Sequence, residues 1–324
     1  MSYVMCCKLS FAATDRRDAF SLPWVSSVSV RSSWKMLTDT AEIVLPRKVE
    51  RFNGREFHEL FQPGDPVKIE LGYNNELHQE FEGYILSVSR GVPVVIRCED
   101  EMYKLKRKTV SYSKKSVTLR QLLADVCEGY EVNTSFGDTE LGAVRYSNMK
   151  VSAILEDVRK KTGLYSYFKG KVLCCGNVYS DNVDLPEVRI MLERNGVSQD
   201  LQQTGGDYEV IATAILKGGK KMEAKAGTKG ADTFNLNFKD HDKKVTVQAL
   251  KELAERFYKS LSKQKYKGGV ELFGIPRIDF GMTMNLTSEI NPEMDGKYFI
   301  EKVTKEFSDN ATYRQKVELG GRVE

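Results

Sequence analysis

The chain has 324 residues, 41% hydrophobic and 29% charged, the composition of a globular protein with a sizeable core and more than one domain. Its 49 basic and 45 acidic side chains leave a net charge of +4, too balanced for nucleic-acid binding through bulk electrostatics. No window reaches the ~18 apolar residues of a membrane span. Met1 to Phe11 lack a basic segment followed by an apolar one, so the chain is expected to stay in the cytoplasm or to leave it by a route not encoded there.

The first hundred residues read as β. Val28 and Val30 alternate with Ser27, Ser29 and Arg31, and Ala41, Ile43 and Leu45 share one phase until Pro46 ends the run. A loop containing Asn53-Gly54 leads to the turn Pro63-Gly64-Asp65. After it Val67, Ile69 and Leu71 fall on one face of a strand, with Pro66, Lys68 and Glu70 on the other. Asn74-Asn75 sits where a hairpin loop is needed before Phe81, and runs starting at Gly83-Tyr84 and at Val94 complete the set. Short strands at this spacing predict a sandwich or barrel.

The middle changes character. Leu119, Leu122, Leu123 and Val126 have helical spacing with Thr118 as N-cap. A second helix carries Val151, Ile154, Leu155 and Val158, ends in Arg159, Lys160 and Lys161, and has Gly163 as its C-cap. A hairpin follows, Tyr165 to Phe168 and Val172 to Cys175, turning at Lys169-Gly170.

The last third is β again. Val210 to Leu216 is apolar on both faces and predicts a buried strand, and Phe234, Leu236 and Phe238 alternate with polar residues. Val247, Leu250, Ala254, Phe257 and Leu261 make the narrow stripe of an amphipathic helix over about 246–264. The expected domains are 1–105, a first β-barrel; 106–205, a small α/β insertion; and 206–324, a second β-barrel with the long helix. The fold class is mainly β with an α+β insertion, two related barrels flanking the α/β domain.

Catalytic patterns are missing. Gly-x-Ser-x-Gly, His-Glu-x-x-His and the complete phosphate-loop pattern do not occur, and Gly-Gly-Lys-Lys at 218–221 lacks the spacing of the last. His58, His78 and His241 are scattered, so a nucleophile would lack its usual base. Of the six cysteines, Cys6-Cys7 and Cys174-Cys175 are adjacent and point to opposite faces of a strand, which makes each pair a poor chelate. Reduced, partly buried thiols are expected. The local basic runs, Lys104 to Lys108 and Lys217 to Lys225, read as solvated faces. No catalytic, cofactor-binding or metal residues are assigned.

A repeat emerges instead. With Gly281 set on Gly64, Met282, Met284 and Leu286 take the phase of Asp65, Val67 and Ile69. Gly83-Tyr84 finds a counterpart in Gly296 and Tyr298, with Lys297 between them, and each Tyr opens an apolar strand. Beyond Ile300 the phase slips, so Val303 matches Val88 only if a bulge absorbs one residue. Gly64, Asp65, Gly83, Tyr84, Gly281, Gly296 and Tyr298 are therefore the structural turn and repeat positions. Gly64 supplies backbone freedom and Asp65 a local cap.

The segments "SWKMLTDTAEIVLPR" (Ser33 to Arg47), "PGDPVKIELGY" (Pro63 to Tyr73) and "EFEGYILSVSRG" (Glu80 to Gly91) resemble the opening barrel of tailed-phage baseplate hub proteins. These include the late control protein D family, whose fold is shared with the N-terminal part of VgrG spikes in type VI secretion. "VSAILEDVRKKTGLYSYFKGKVL" (Val151 to Leu173) resembles that family's α/β insertion. "FGIPRIDFGMTMNL" (Phe273 to Leu286) and "GKYFIEKVTKEFSDNATYRQKVELGG" (Gly296 to Gly321) resemble its second barrel. Gly274-Ile275-Pro276 fits the family pattern, but Asp279-Phe280-Gly281 stands where a Pro-Gly-Asp-like turn is common.

That resemblance implies a homotrimer whose paired barrels form a pseudo-six-fold ring around a channel, adapting the hexameric tail tube to a trimeric spike. Edge strands of both barrels would build the inner ring and the tube interface. The implied partners are copies of itself, the tail tube protein, a separate spike protein and other baseplate proteins. DNA would pass through the channel without specific binding, and no segment spans a membrane. The implied location is the baseplate of a virion tail or injection machine, assembled in the bacterial cytoplasm, and no enzymatic activity is implied. The alternatives are the same hub in another contractile or non-contractile machine, a cell-wall hydrolase using acidic residues near Asp138 or Glu156 in the middle unit, and a carbohydrate-binding β module.

Overall fold

The computed structural model describes residues 3–46, 60–134, 136–176, 185–203, 208–216, 221–240, 246–262 and 266–323. The Asn53-Gly54 loop, His58, His241 and Gly218-Gly219-Lys220 lie outside them. The fold is mainly β, built on one sheet of 13 strands.

The first β unit comprises β1 (Met5–Phe11), β2 (Phe20–Leu22), β3 (Ser27–Ser33), β4 (Thr40–Leu45), β5 (Pro66–Tyr73), β6 (Glu76–Val88) and β7 (Val94–Glu99). The alternation predicted for β5 is present: Val67, Ile69 and Leu71 are at most 2% exposed, while Lys68 and Glu70 pair on the outer face. Each such side chain contributes roughly 1.5–3 kcal/mol through burial. Asn74 and Asn75 both have positive φ, 53° and 67°, the backbone a two-residue hairpin turn with the strands' own twist requires. The core gathers Leu9, Phe11, Ile43, Ile69, Ile85 and Ile96, and is completed by Phe307 and Tyr313 from the far end of the chain.

The middle unit holds α1 (Met102–Leu105), β8 (Thr109–Lys114), α2 (Leu119–Val126), β9 (Glu131–Asn133), β10 (Val144–Lys150), α3 (Val151–Thr162), β11 (Tyr165–Lys169) and β12 (Val172–Gly176). Thr118 caps α2 in a reciprocal capping box with Gln121. Gly163 ends α3 in the left-handed region at φ 74°, and three basic residues occupy the last turn, where the helix dipole favours them. The apolar faces of both helices pack into one core with Leu173 and Cys175.

The second β unit begins earlier than expected. It contains β13 (Glu187–Met191), a short helix α4 (Leu192–Asn195), β14 (Gly196–Gln199) and β15 (Gln202–Gln203). β13 pairs with β21 (Thr283–Thr287) and β14 with β20 (Gly269–Phe273). Residues 187–203 thus hydrogen-bond to the last third, not to the middle unit in which a boundary at 205 places them. The strands are too short and too polar to announce partners as far along the chain as Thr283 is from Glu187.

Between β15 and β20 lies an insertion: β16 (Tyr208–Leu216), β17 (Lys221–Gly227), β18 (Asp232–Asp240) and α5 (Val247–Ser262), followed by β19 (Tyr266–Lys267). These three long strands form their own sheet, with β16 in the centre. Val210, Ala212 and Ala214 are fully buried and share a small core with Leu250 and Ala254 of α5, but Ile211 and Thr213 are half-exposed. β16 is therefore covered on one face only, where its composition predicts two. The amphipathic helix packs on this small sheet, not across the large one. The chain ends in β22 (Gly296–Ser308) and β23 (Thr312–Val323).

Candidate functional site: two equivalent turns and the seam between the β units

Six strands of each β unit match one for one, and β2, which pairs with β1, has no counterpart among the described residues. In the first the sheet order is β1-β5-β6-β7-β4-β3; in the second it is β13-β21-β22-β23-β20-β14. Corresponding strands also appear in the same order along the chain. One pairing differs: β1 runs antiparallel to β5, whereas β13 runs parallel to β21.

The turns entering β5 and β21 share their backbone bonds. Gly64 N donates to Ile85 O at 2.8 Å, and Ile85 N donates to Asp65 O at 2.9 Å. Gly281 N donates to Ile300 O at 3.3 Å, and Ile300 N donates to Met282 O at 3.1 Å. Both glycines have positive φ, 96° and 80°, where a Cβ is disfavoured. Gly64 and Gly281 thus occupy equivalent places, as do Val67 and Met284.

The side chains after the glycines differ. Asp65 is buried, accepts the Gln62 N–H at 3.0 Å and ion-pairs with Arg16 at 2.5 Å and Arg17 at 3.5 Å. Arg17 is itself buried and also donates to Leu60 O; burial lowers its pKa, although Asp65 opposes that shift. In the second turn the equivalent N–H, that of Asp279, donates to the Met282 thioether at 3.3 Å. Asp65 accepts the N–H of Gln62 within the turn and is in addition the counter-charge of two arginines distant in sequence.

The other repeat positions shift in register. Gly83 stands opposite Val67, but Gly296 stands opposite Leu286, so Tyr298 occupies Gly83's place and Phe299 that of Tyr84. Matching Ile85 to Ile300 brings Val88 onto Val303 with no extra residue. Both strands carry their bulge at the same step, between Ile85 and Ser87 and between Ile300 and Lys302. The paired tyrosines misled because their roles differ. Tyr298 is fully buried and donates to Met294 O, whereas Tyr84 donates to Glu101 and stacks on Tyr103. Burial opposes the charge of Glu101, but donors on Tyr130, Tyr84 and Lys104 outweigh it and hold its pKa low. Gly83 lacks a side chain for a further reason: a Cβ there would lie 2.1 Å from Glu99 O.

The units meet along a seam in which the C-terminal half of β22 pairs with β3, from Lys302 opposite Ser33 to Ser308 opposite Ser27. Lys305, only 2% exposed, ion-pairs with Glu80 of the first unit, whose side chain is 1% exposed, and with Asp279 of the second at 2.8 Å. Arg277 joins the same carboxylates, 3.1 Å from Glu80 and 3.0 Å from Asp279. The 34–39 connection pins the other end of the seam. Ser33 Oγ donates to Glu301 O, Lys35 pairs with Glu301, and Trp34 meets Tyr165 of the middle unit edge-on.

Among the described residues no group of His, Cys, Asp and Glu is arranged to hold a metal ion. Asp138 is exposed, and Glu156 pairs with Arg159 on α3 in a surface contact. The cysteines are free thiols, and burial pushes Cys7 up to about 11 and Cys127 up to about 12. Among the described residues no helix is long and apolar enough to cross a membrane. Arg17, Lys305 and Glu80 escaped the sequence reading; the two basic residues in otherwise half-apolar segments were the only signal available.

No protein-family model matches the sequence, and no curated protein matches it by sequence. Solved structures do match. A tail protein from Neisseria meningitidis shares 14% identity over 98% of this chain and 97% of its own, with a TM-score of 0.69. A 43 kDa tail protein of prophage MuSo2 from Shewanella oneidensis shares 12% over 98% of both chains, with a TM-score of 0.67. An Escherichia coli component of the type VI secretion system, described as structurally similar to T4 tail proteins gp27 and gp5, shares 11% over 98% of this chain and 77% of its own, with a TM-score of 0.61. The chain therefore has the fold of phage tail proteins and of their type VI secretion counterpart, the fold that its resemblance to baseplate hubs implied.

Proposed function

We propose that this protein is the structural hub of a phage tail baseplate or of a related contractile injection machine. Three copies form a ring in which two related barrels per copy approximate six-fold symmetry on the side of the tail tube and three-fold symmetry on the side of a separate spike. The observation that carries this reading is the equivalence of the two β units, in the order of six strands and in the hydrogen bonds of their entry turns. A three-fold assembly needs two similar modules per chain to meet a hexamer, and one module would not serve. The domains are then 1–105 and, with its start moved forward to include β13, the segment from about 185 onwards, the middle α/β unit lying between them.

The chain acts by assembly and not by catalysis. Its partners are itself, the tube protein, the spike and neighbouring baseplate proteins, with DNA passing through the channel. The baseplate forms in the bacterial cytoplasm. Electron microscopy of the purified protein, alone and with the tube protein, tests this: three-fold rings are expected, and monomers under both conditions would refute it.

A further inference from the structure

The seam inside one chain has an unused counterpart. β22 offers one edge to two partners in succession: its start pairs with β21, and the same edge from Lys302 to Ser308 pairs with β3. β6 is built alike. Its edge is occupied by β5 up to Tyr84 and by the Asp65 turn at Ile85, and among the described residues Ser87 to Ser89 on that edge have no strand partner.

The counterpart of β3 is equally open. Val28 stands opposite Ile43, and Arg31 opposite Thr40. Gln199 stands opposite Val270, and Gln202 opposite Lys267. Gln199 to Gln203 thus take the places of Val28 to Ser32 without insertion or deletion. β14 ends the order of the large sheet, so among the described residues its outer edge is unpaired. In the paired strand Val28 and Val30 are 1% exposed; at their places in the unpaired one Gln199 is exposed and Leu201 is only partly buried. A glutamine in place of Val28, and a half-covered leucine in place of Val30, suit an edge that stays in water until a partner arrives.

We propose that the Gly196–Gln203 edge of one copy pairs antiparallel with the Ser87–Ser89 edge of a second copy of this chain, with Val88 opposite Gln203 and Ser89 opposite Gln202. The register is that of the internal seam carried from the second unit to the first: Val303 opposite Ser32 and Thr304 opposite Arg31. The two edges are different surfaces, so the contact is head-to-tail and repeats from copy to copy until it closes. The proposal rests on the ring reading above and supplies the surface through which the ring forms.

Cysteine pairs test it. The Ser89→Cys/Gln202→Cys variant of the full chain, oxidised with copper phenanthroline, should form covalent dimers and trimers on a non-reducing gel. The Ser89→Cys/Gln199→Cys variant displaces one cysteine by three residues, about 10 Å along the strand, and should form at least tenfold less. Val88→Cys/Gln203→Cys is a second in-register pair should the first variant fold poorly, and the parent chain controls for its own six cysteines. Trimers in sedimentation without in-register cross-links would overturn this pairing and leave the ring intact. Equal cross-linking by the displaced pair would also overturn it. Monomers alone at every concentration would remove both the pairing and the ring.

Discussion

In the first β unit the entry turn closes on a buried carboxylate held by two arginines; in the second the same turn closes on a thioether. The backbone bonds are conserved between the two places while the side-chain chemistry is not. A turn of this kind needs a residue with positive φ and an acceptor for one N–H, and either oxygen or sulfur serves. The units differ most where they meet other parts. The 34–39 connection of the first is short and pinned to the seam, whereas the corresponding connection of the second holds the insertion with α5. The β22–β23 hairpin is also longer than β6–β7 and reaches across to β3, so only the second unit makes the internal seam.

The largest effect should come from the seam. Lys305→Met removes a buried cation and leaves Glu80 with Arg277 alone. Breaking a buried pair from one side costs about 3–5 kcal/mol. Urea denaturation should show a loss near the lower end of that range, because Arg277 remains, and Glu80→Gln added to Lys305→Met should restore part of it. A loss below about 1 kcal/mol would mean that the ion cluster does not hold the units together.

Next come the entry turns. Asp65→Met installs the second unit's residue in the first, and should cost roughly 2–3 kcal/mol because Arg17 stays buried without its counter-charge. Met282→Leu keeps the bulk and should cost under about 1.5 kcal/mol. Equal losses for the two would show that Arg16 and Arg17 contribute nothing through Asp65.

The glycines should behave alike where their successors do not. Gly64→Ala and Gly281→Ala each force a Cβ into a left-handed backbone and should lower stability by about 1–2 kcal/mol. A cost at one and not at the other, measured by thermal or urea unfolding, would break the equivalence of the turns.

These contrasts also explain what was legible in the sequence. Capped helices and alternating strands carry local signals, so Thr118, Gly163 and the Val67-Ile69-Leu71 face could be read directly. The repeat was visible through Gly64 and Gly281, because positive φ restricts the residue type. Register was not, since the side chains of Tyr84 and Tyr298 look alike while their backbone places differ by one. The partners of β13 and β14, and the pairing of Lys305 with Glu80, depend on contacts between distant segments that no local pattern encodes.

The mildest test is a slope with pH. The connection that is short in the first unit ends at Asp39, whose backbone N–H donates to Asp100 Oδ2 at 3.0 Å, while Met102 N donates to Asp100 Oδ1. Burial pushes the Asp100 carboxyl up to about 7 despite these donors, and burial, with the charge of Asp100 added, also raises Asp39. An unfolded aspartate titrates near ~3.9. The folded state therefore binds the proton more tightly, and the stability this confers is complete below about pH 4 and lost as pH rises through about 7. The urea midpoint should accordingly fall between pH 5.5 and 8, a window in which carboxylates with lowered pKa, such as Glu101, are already ionised in both states. Asp100→Asn should lower the midpoint at every pH, because its amide cannot accept both N–H groups, and should flatten the slope. An unchanged slope would place the titration elsewhere and leave the short connection held by the seam contacts of Ser33 and Lys35.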